Sequence, residues 1–165
     1  MMITLTGFMG SGKTTVGKVL ADFLGCPFMD LDDLVVKKAG KSIPDIFTQD
    51  GEPAFRELEA QVLRKTVEKY AESTAVLALG GGAVLAPTSA ALLHEKTVCI
   101  SLRATLDTLL ARLEGETAGR PLADDEMASR LASREPIYEK TAHVIVDTDG
   151  LSPDEVADEI IISAL

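Results

Sequence analysis

The chain has 165 residues, of which 46% are hydrophobic and 25% are charged, as in ordinary globular proteins. Its net charge of −10 argues against a nucleic-acid partner, because a phosphate backbone binds to a broad basic surface. No apolar run approaches the length of a membrane span, and the N-terminus lacks the pattern of a signal peptide. We therefore expect a single domain over residues 1–165 that is cytoplasmic and binds neither membranes nor nucleic acid.

Apolar patterns in the sequence predict strands that alternate with helices. The strands are expected at residues 3–6, 27–30, 75–79, 97–102 and 143–147. Helices are expected at residues 12–24, 31–39, 42–50, 53–70, 87–93, 105–113, 126–133 and from 153 toward 161. The third strand is apolar throughout, which is typical of a strand buried on both faces. The alternation predicts an α/β fold in which a parallel sheet has helices on both faces.

The segment from Gly7 to Thr14 has the sequence of a phosphate-binding loop, G-x-x-x-x-G-K-[ST], between an apolar strand and a helix. Glycines allow such a loop to curl its backbone N–H groups around phosphate oxygens. Lys13 should reach the β- and γ-phosphates, Thr14 should offer its hydroxyl to Mg²⁺, and the helix should direct its positive end at the phosphates. A nucleotide is therefore expected to contact Gly10, Ser11, Gly12, Lys13, Thr14 and Thr15.

Further candidate residues follow the second and third predicted strands, because parallel sheets bind ligands at the carboxyl ends of their strands. Asp30 and Asp32 follow the second strand, where one carboxylate can hold Mg²⁺ and another can accept a proton from a hydroxyl. The alternative is that Asp32 and Asp33 only favour the start of the next helix. Gly80, Gly81 and Gly82 follow the third strand. Three glycines are costly in a plain turn, and backbone N–H groups there suit an oxygen-rich ligand.

An acidic protein that binds an anionic nucleotide must concentrate its few cations at the site, so the arginines of this chain are informative. Arg56 and Glu59 are three residues apart on one predicted helix, and the carboxylate could hold the guanidinium in place. The alternative is an exposed ion pair, which contributes little to stability.

Further sequence elements follow the phosphate-binding loop in a fixed order. They are Asp30-Leu31-Asp32, Gly40-Lys41-Ser42-Ile43, Ile46-Phe47, Gly51-Glu52 with Phe55-Arg56 and Glu59, Leu79-Gly80-Gly81-Gly82-Ala83, Arg120-Pro121-Leu122, and Arg134-Glu135-Pro136-Ile137-Tyr138. Over nearly the whole chain this series resembles the pattern of shikimate kinases. The resemblance implies a five-stranded sheet in the order 2-3-1-4-5 and a monomer that uses ATP and Mg²⁺. It also implies transfer of the γ-phosphoryl group of ATP to the 3-hydroxyl of shikimate, in aromatic amino-acid biosynthesis.

The resemblance also implies roles for individual residues. Asp32 would orient or deprotonate the acceptor hydroxyl. Arg56 and Arg134 would hold the shikimate carboxylate, for which forked guanidinium donors are suited. The glycine contacts with the substrate are expected at Gly80, Gly81 and Gly82. On the nucleotide side, the implied residues are Lys13 and Arg120 for the transferring phosphoryl group, Thr14 and Asp30 for Mg²⁺, and Arg112 for stacking on adenine.

A polar stretch at about 114–125 has no apolar period and is the candidate for a mobile lid. In two places the sequence departs from the family pattern. Residues 114–119 are acidic where the family is usually basic. Electrostatic attraction would therefore contribute less to closure of the lid. The turn at 149–151 lacks the basic residue that some members place near adenine.

Two other functions stay open at this point. A related kinase that acts on gluconate or a nucleoside would share the same core, but the pairing of Arg56 with Arg134 calls for a carboxylate on the acceptor. A nucleotide-binding module without turnover is the third hypothesis, and it is disfavoured by the presence of Lys13, Thr14, Asp32 and Arg120.

Overall fold

A computed structural model of the protein describes residues 1–116 and 124–165. Its strands are β1 (Met2–Thr6), β2 (Phe28–Asp30), β3 (Ala75–Ala78), β4 (Val98–Arg103) and β5 (Val144–Asp147). Its helices are α1 (Lys13–Leu24), α2 (Leu31–Ala39), α3 (Ile43–Asp50), α4 (Glu52–Lys69), α5 (Pro87–Lys96), α6 (Leu106–Glu116), α7 (Asp124–Thr141) and α8 (Pro153–Ala164). Every predicted strand and helix is found. None of the described helices is long and apolar enough to cross a bilayer.

The strands are parallel and lie in the order β2-β3-β1-β4-β5, as predicted. β1 is central, and its Leu5 pairs with Ala78 of β3 and with Ile100 of β4. β1 and β3 are buried along their whole length, as expected for strands covered on both faces. Because the strands are parallel, the carboxyl ends of β1, β2 and β3 meet at one edge of the sheet. The segments that carry the candidate site therefore begin side by side.

Helices cover both faces of the sheet and form two apolar cores. On one face, α1 and α8 pack against the sheet around Ile3, Leu5, Leu20, Ile100 and Ile160. The core on the other face includes Met2, Leu31, Leu63, Leu77 and Leu93. Burial of each such side chain stabilises the fold by roughly 1.5–3 kcal/mol. The helices that carry candidate site residues are thus anchored by the cores.

Local signals explain several helix ends. The Oδ1 atom of Asp30 accepts a hydrogen bond from the backbone N–H of Asp32 at 2.9 Å and caps α2. α2 ends immediately before Gly40, as predicted. Ser152 and Glu155 form the predicted capping box at the start of α8.

Both ends of the predicted lid at about 114–125 are helical. α6 continues to Glu116, and α7 begins at Asp124. The acidic residues Asp125 and Glu126 favour a helix start, since the N-terminus of a helix carries positive partial charge. The rest of the predicted lid, residues 117–123 with Arg120, lies outside the described residues.

The predicted end of α7 at residue 133 is wrong, because the helix runs through Pro136 to Thr141. Proline has no N–H to donate to the carbonyl four residues earlier, which usually breaks or kinks a helix. Here Met127 and Tyr138, on either side of the proline, are both buried, and this packing holds the two halves in one element. The continued helix places Arg134 and Tyr138 one turn apart on the same face.

Candidate active site

The phosphate-binding loop occupies residues 7–12, between β1 and α1. Gly10 and Gly12 have φ angles of 81° and 99°, a region that residues with a Cβ rarely adopt. A Cβ at Gly7 would overlap the carbonyl oxygen of Leu102 at the end of β4. The glycines are therefore required by the path of the backbone.

The loop also holds a buried hydroxyl group without a partner. Ser11 is 1% exposed, and its Oγ has no hydrogen-bond partner within the part of the chain that the structure describes. A buried polar group in this state costs about 1–3 kcal/mol. The loop leads into the N-terminus of α1, where the helix dipole favours an anion. The donors of the loop thus fit a phosphate group.

Lys13 is held across the loop by hydrogen bonds to backbone carbonyls. Its Nζ donates to the oxygen of Gly7 at 2.8 Å and to that of Phe8 at 3.0 Å. Burial of the ammonium group lowers the pKa of Lys13 to about 8, and the carboxylates of Asp32 and Asp30 oppose that shift. A phosphate group bound in the loop would stabilise the charged form.

Thr14 and Asp30 lie together, as expected for a magnesium site. The Thr14 hydroxyl donates to Oδ2 of Asp30 at 3.1 Å, while Oδ1 of the same carboxylate caps α2. Hydroxyl and carboxylate oxygens are ligands that Mg²⁺ takes in proteins, usually together with phosphate oxygens. The two residues therefore fit a magnesium ion bound with a nucleotide.

The carboxylate of Asp32 faces the glycines that follow β3. Its Oδ1 lies 3.0 Å from the position that a Cβ on Gly80 would take. Burial, and next the carboxylate of Asp30, raises the pKa of Asp32, whereas Lys13 and Arg56 lower it. A carboxylate with a raised pKa, beside glycines that leave room for a ligand, is suited to accept a proton from a hydroxyl.

Arg56 is held against the glycines by a buried carboxylate. Its Nη1 donates to Oε1 of Glu59 at 2.9 Å, and Glu59 is only 3% exposed. Burial raises the pKa of Glu59, and the hydrogen bond from Arg56 opposes that rise. A Cβ at Gly82 would overlap the guanidinium, so the approach of Arg56 requires glycine. The alternative of an exposed ion pair is therefore wrong, since Glu59 is buried and orients Arg56.

Gly81 faces α7. A Cβ on it would lie 3.5 Å from the hydroxyl of Tyr138 and 3.6 Å from Nη1 of Arg134. The Tyr138 hydroxyl donates to the carbonyl oxygen of Gly81 at 2.5 Å. No carboxylate of the described residues lies within 4 Å of the Arg134 guanidinium. The three glycines are thus the point at which α2, α4 and α7 converge.

A cavity of about 380 Å³ opens beside the phosphate-binding loop. It is lined by residues 10–16 together with Arg112, Thr148, Leu151, Pro153 and Val156. Nη1 of Arg112 donates to the carbonyl oxygen of Gly10 and to the Thr148 hydroxyl, and Nη2 donates to the Thr148 carbonyl, each at 3.1 Å. Arg112 therefore ties the loop to the turn after β5 and forms part of the cavity wall, where adenine is expected.

The acidic turn after β5 has a structural role of its own. Asp149 accepts hydrogen bonds from the Thr108 hydroxyl at 2.5 Å and from the Thr105 hydroxyl and N–H at 2.8 and 3.1 Å. These bonds, that of Thr108 first, lower the pKa of Asp149. A basic residue at this position would lose them, and the turn would lose its attachment to the start of α6.

The structure brings residues predicted for the nucleotide side and for the substrate side of the site close together. Lys13 is close enough to Asp30, Asp32 and Arg134 for their charges to influence its pKa. Arg120, the third predicted catalytic residue, lies outside the described residues. Sequence reasoning gave no role to Tyr138. Its spacing of four from Arg134 would have placed it in the site had α7 been predicted at full length.

A phosphate-binding loop after the central strand of a parallel 2-3-1-4-5 sheet defines a P-loop nucleotide-binding protein. Close to Lys13, the carboxylate of Asp32 and the guanidinium groups of Arg56 and Arg134 meet at the glycines that follow β3. A family model described as shikimate kinase matches residues 9–164. The chain belongs to the shikimate kinase family.

Individual relatives agree with this assignment. A shikimate kinase of Enterococcus faecalis is 43% identical over 164 residues, which cover 96% of this chain and 95% of the relative. A solved structure of shikimate kinase from Acinetobacter baumannii in complex with shikimate is 31% identical with a TM-score of 0.87, covering 97% of this chain and 90% of the other. A gluconokinase from Sinorhizobium meliloti is 19% identical with a TM-score of 0.62, covering 98% and 89%, and shares the fold alone. The predicted family, fold class and enzyme class are confirmed.

Proposed function

We propose that this chain transfers the γ-phosphoryl group of ATP to the 3-hydroxyl of shikimate, giving 3-phosphoshikimate and ADP. The observation that carries the proposal is the convergence of Arg56, Arg134 and Asp32 on the glycines at 80–82. Two guanidinium groups suit a carboxylate, and a neighbouring carboxylate suits a hydroxyl. In this proposal residues 1–165 act as one domain and as a cytoplasmic monomer in aromatic amino-acid biosynthesis.

Acceptor binding uses side chains that are already in place. Glu59 orients Arg56, so less side-chain freedom is lost when the substrate carboxylate binds. Tyr138 fixes the carbonyl group of Gly81. Within the described residues, the N–H groups of Gly81 and Gly82 donate no backbone hydrogen bond, which leaves them available to substrate oxygens.

The transfer step requires an oriented acceptor oxygen and cations near the phosphoryl oxygens. Asp32 accepts the proton of the acceptor hydroxyl as that oxygen forms its bond to phosphorus. Lys13 exchanges its bonds with the carbonyls of Gly7 and Phe8 for bonds to the β- and γ-phosphates. Arg120 is assigned to the same negative charge from the segment that follows α6.

Thr14 and Asp30 are the residues that would hold Mg²⁺, directly or through water. When bound, the ion neutralises charge on the phosphates. The remaining nucleotide contacts are assigned to Gly10, Ser11, Gly12, Thr15 and Arg112. Of these, Arg112 is already fixed in the cavity wall by its three hydrogen bonds.

A coupled assay of ADP release with Mg-ATP and different acceptors tests the proposed function. ADP should appear with shikimate, and ³¹P NMR should detect one phosphate monoester on the acceptor. Gluconate and a nucleoside are the control acceptors. ADP release with either of these and none with shikimate would return the chain to the alternative of a related small-molecule kinase.

Replacing Arg56 or Arg134 by lysine should weaken shikimate binding and leave nucleotide binding nearly unchanged. Lysine keeps the charge but loses the forked geometry, and a hydrogen bond to a charged group contributes about 1.5–3 kcal/mol. Because both side chains act on one carboxylate, the double variant should depart from the sum of the single variants. Calorimetric titrations with shikimate and with Mg-ADP measure the two affinities.

Arg64→Lys is the matched control for this series, because Arg64 is exposed on the same helix as Arg56. It should leave both affinities unchanged. If Arg56→Lys and Arg134→Lys also left shikimate affinity unchanged, the carboxylate assignment would be wrong.

Binding of ADP at pH 8 should take up a proton through Lys13. Burial lowers the pKa of this residue to about 8 in the free protein, so about half of the molecules carry it neutral at that pH. Phosphate oxygens favour the ammonium form, so binding raises the pKa, and affinity should fall as the pH rises above 8. Calorimetry with Mg-ADP at pH 8 in two buffers of different ionisation enthalpy measures the proton.

Lys13→Met is the control for proton uptake, since methionine has a similar length and no titratable group. It should bind ADP more weakly and without buffer dependence. Equal binding enthalpies in the two buffers for the unaltered protein would contradict the assignment.

A further inference from the structure

A second concave surface lies between α2 and α4, away from the candidate active site. This groove has a volume of about 370 Å³, which is within the range of small-molecule sites. Its apolar floor is formed by Leu34, Leu58 and Val62, which are partly exposed and continue the core beneath them. None of its lining residues is assigned to the nucleotide or to the acceptor.

The rim of the groove is strongly basic in a chain whose net charge is −10. Four of the nine lysines of the chain line the groove, namely Lys37, Lys38, Lys65 and Lys69. No acidic residue lines the groove in residues 1–116 and 124–165. Over the same ranges no carboxylate lies within 4 Å of the four ammonium groups.

Stabilisation of helix ends accounts for only some of these four lysines. Lys37 and Lys38 are in the last turn of α2 and Lys69 is in that of α4, where cations are favoured by the helix dipole. Lys65 is one turn before Lys69 on the same helix, however, and like charges at this spacing destabilise a helix slightly. A bound anion between the two helices would remove that repulsion.

We propose that the groove between α2 and α4 binds a small organic anion with an apolar ring, the ring lying on Leu34, Leu58 and Val62 and the anionic group on the lysines. The floor accounts for the apolar part of the ligand, since partly exposed leucine and valine side chains gain stability when water is removed from them. The four lysines, which pair with no carboxylate of the described residues, account for its charge. A purely inorganic anion would leave the floor uncovered, and a neutral ring would leave the lysines uncompensated.

A ¹⁵N-HSQC titration of the full chain with sodium 2-naphthoate tests this proposal. Saturating shikimate is present throughout, so that the carboxylate of the probe does not occupy the acceptor pocket. We expect saturable shifts confined to α2 and α4 residues around the groove, with an affinity that falls as salt is raised. Shifts at residues 80–82 would show that the probe binds at the proposed acceptor site in place of shikimate, which would count against the proposed function. The shifts of α2 and α4 residues test the groove separately. Shifts confined to residues 80–82, or no saturable binding, would overturn the groove.

Two variants and two further probes complete the test. The double variant Lys65→Gln/Lys69→Gln should bind 2-naphthoate at least about tenfold more weakly, which corresponds to the loss of about 1.4 kcal/mol. The control double variant Lys18→Gln/Lys96→Gln removes two exposed lysines elsewhere and should bind normally. Measured from the shifts of α2 and α4 residues around the groove, inorganic phosphate and neutral 2-naphthylmethanol should each bind more weakly than 2-naphthoate. The proposal would be overturned if either of these probes bound as tightly as 2-naphthoate. It would also be overturned if Lys65→Gln/Lys69→Gln bound 2-naphthoate as tightly as the unaltered protein.

Discussion

Replacing Lys13 by alanine should reduce the rate of phosphoryl transfer on the order of 10²–10³-fold, the effect of removing one donor from a developing charge. Among residues 1–116 and 124–165, the Lys13 ammonium donates hydrogen bonds only to the carbonyls of Gly7 and Phe8. It carries no ion pair with a carboxylate among the described residues. The side chain therefore contributes little to folding, and its charge is needed mainly when the phosphoryl group moves.

Single-turnover measurements with labelled ATP separate the chemical step from binding, and circular dichroism reports the fold of the Lys13→Ala variant. Lys18→Ala is the matched control, since Lys18 is an exposed lysine of the same helix α1. It should behave like the unaltered protein. A Lys13→Ala variant with an unchanged spectrum and near-normal turnover would remove the nucleotide-site assignment.

The predicted bounds of α2 agree with the structure because the signals for both of its ends are local. Asp30 caps its first turn, and Gly40 follows its last residue. Each signal depends on residues within a few positions of the helix end. The phosphate-binding loop was predictable for the same reason, since its glycines serve backbone conformations of the loop itself.

The helix α7 shows why local reasoning fails elsewhere. The sequence predicts a helix end near residue 133, but the helix continues through Pro136, and burial of Met127 and Tyr138 holds it together. That burial depends on packing partners distant in the sequence. Because α7 was predicted to end too early, sequence reasoning did not indicate that Tyr138 contacts Gly81. That contact exists because the helix continues to Thr141.

The sequence predicted which side chains lie near the three glycines after β3, but not the packing that brings them there. The resemblance to shikimate kinases placed Arg56, Arg134 and the three glycines in one site. The sequence alone does not reveal that a Cβ at Gly82 would overlap the Arg56 guanidinium, or that Glu59 is buried behind it. Both facts depend on how α4 packs beside the end of β3. The three glycines therefore serve close approach of side chains as well as exposure of backbone N–H groups.

Asp32→Asn should lower turnover on the order of 10²–10⁴-fold, the contribution typical of a positioned general base. The amide has the size of the carboxylate but does not accept a proton from the hydroxyl. The cap of α2 should survive, because Asp30 supplies it. Burial raises the pKa of Asp32 above its usual value, so the catalytic carboxylate form is lost as the pH falls, and kcat of the unaltered protein should decline on the acid side.

Calorimetry with Mg-ADP and with shikimate, together with kcat measured across pH, distinguishes the possible roles of Asp32. We expect Asp32→Asn to keep its affinity for Mg-ADP and to lose the acid-side decline along with most of its turnover. Asp33→Asn is the control, since this neighbouring carboxylate is exposed on the same helix turn. It should keep its turnover and its acid-side decline, with the decline moved to lower pH because the charge of Asp33 contributes to the raised pKa of Asp32. If Asp32→Asn instead lost nucleotide binding and kept its turnover at saturating ATP, Asp32 would belong to the metal site. Asp30 would then be the better candidate for the acceptor side, because it is the other carboxylate at the end of β2.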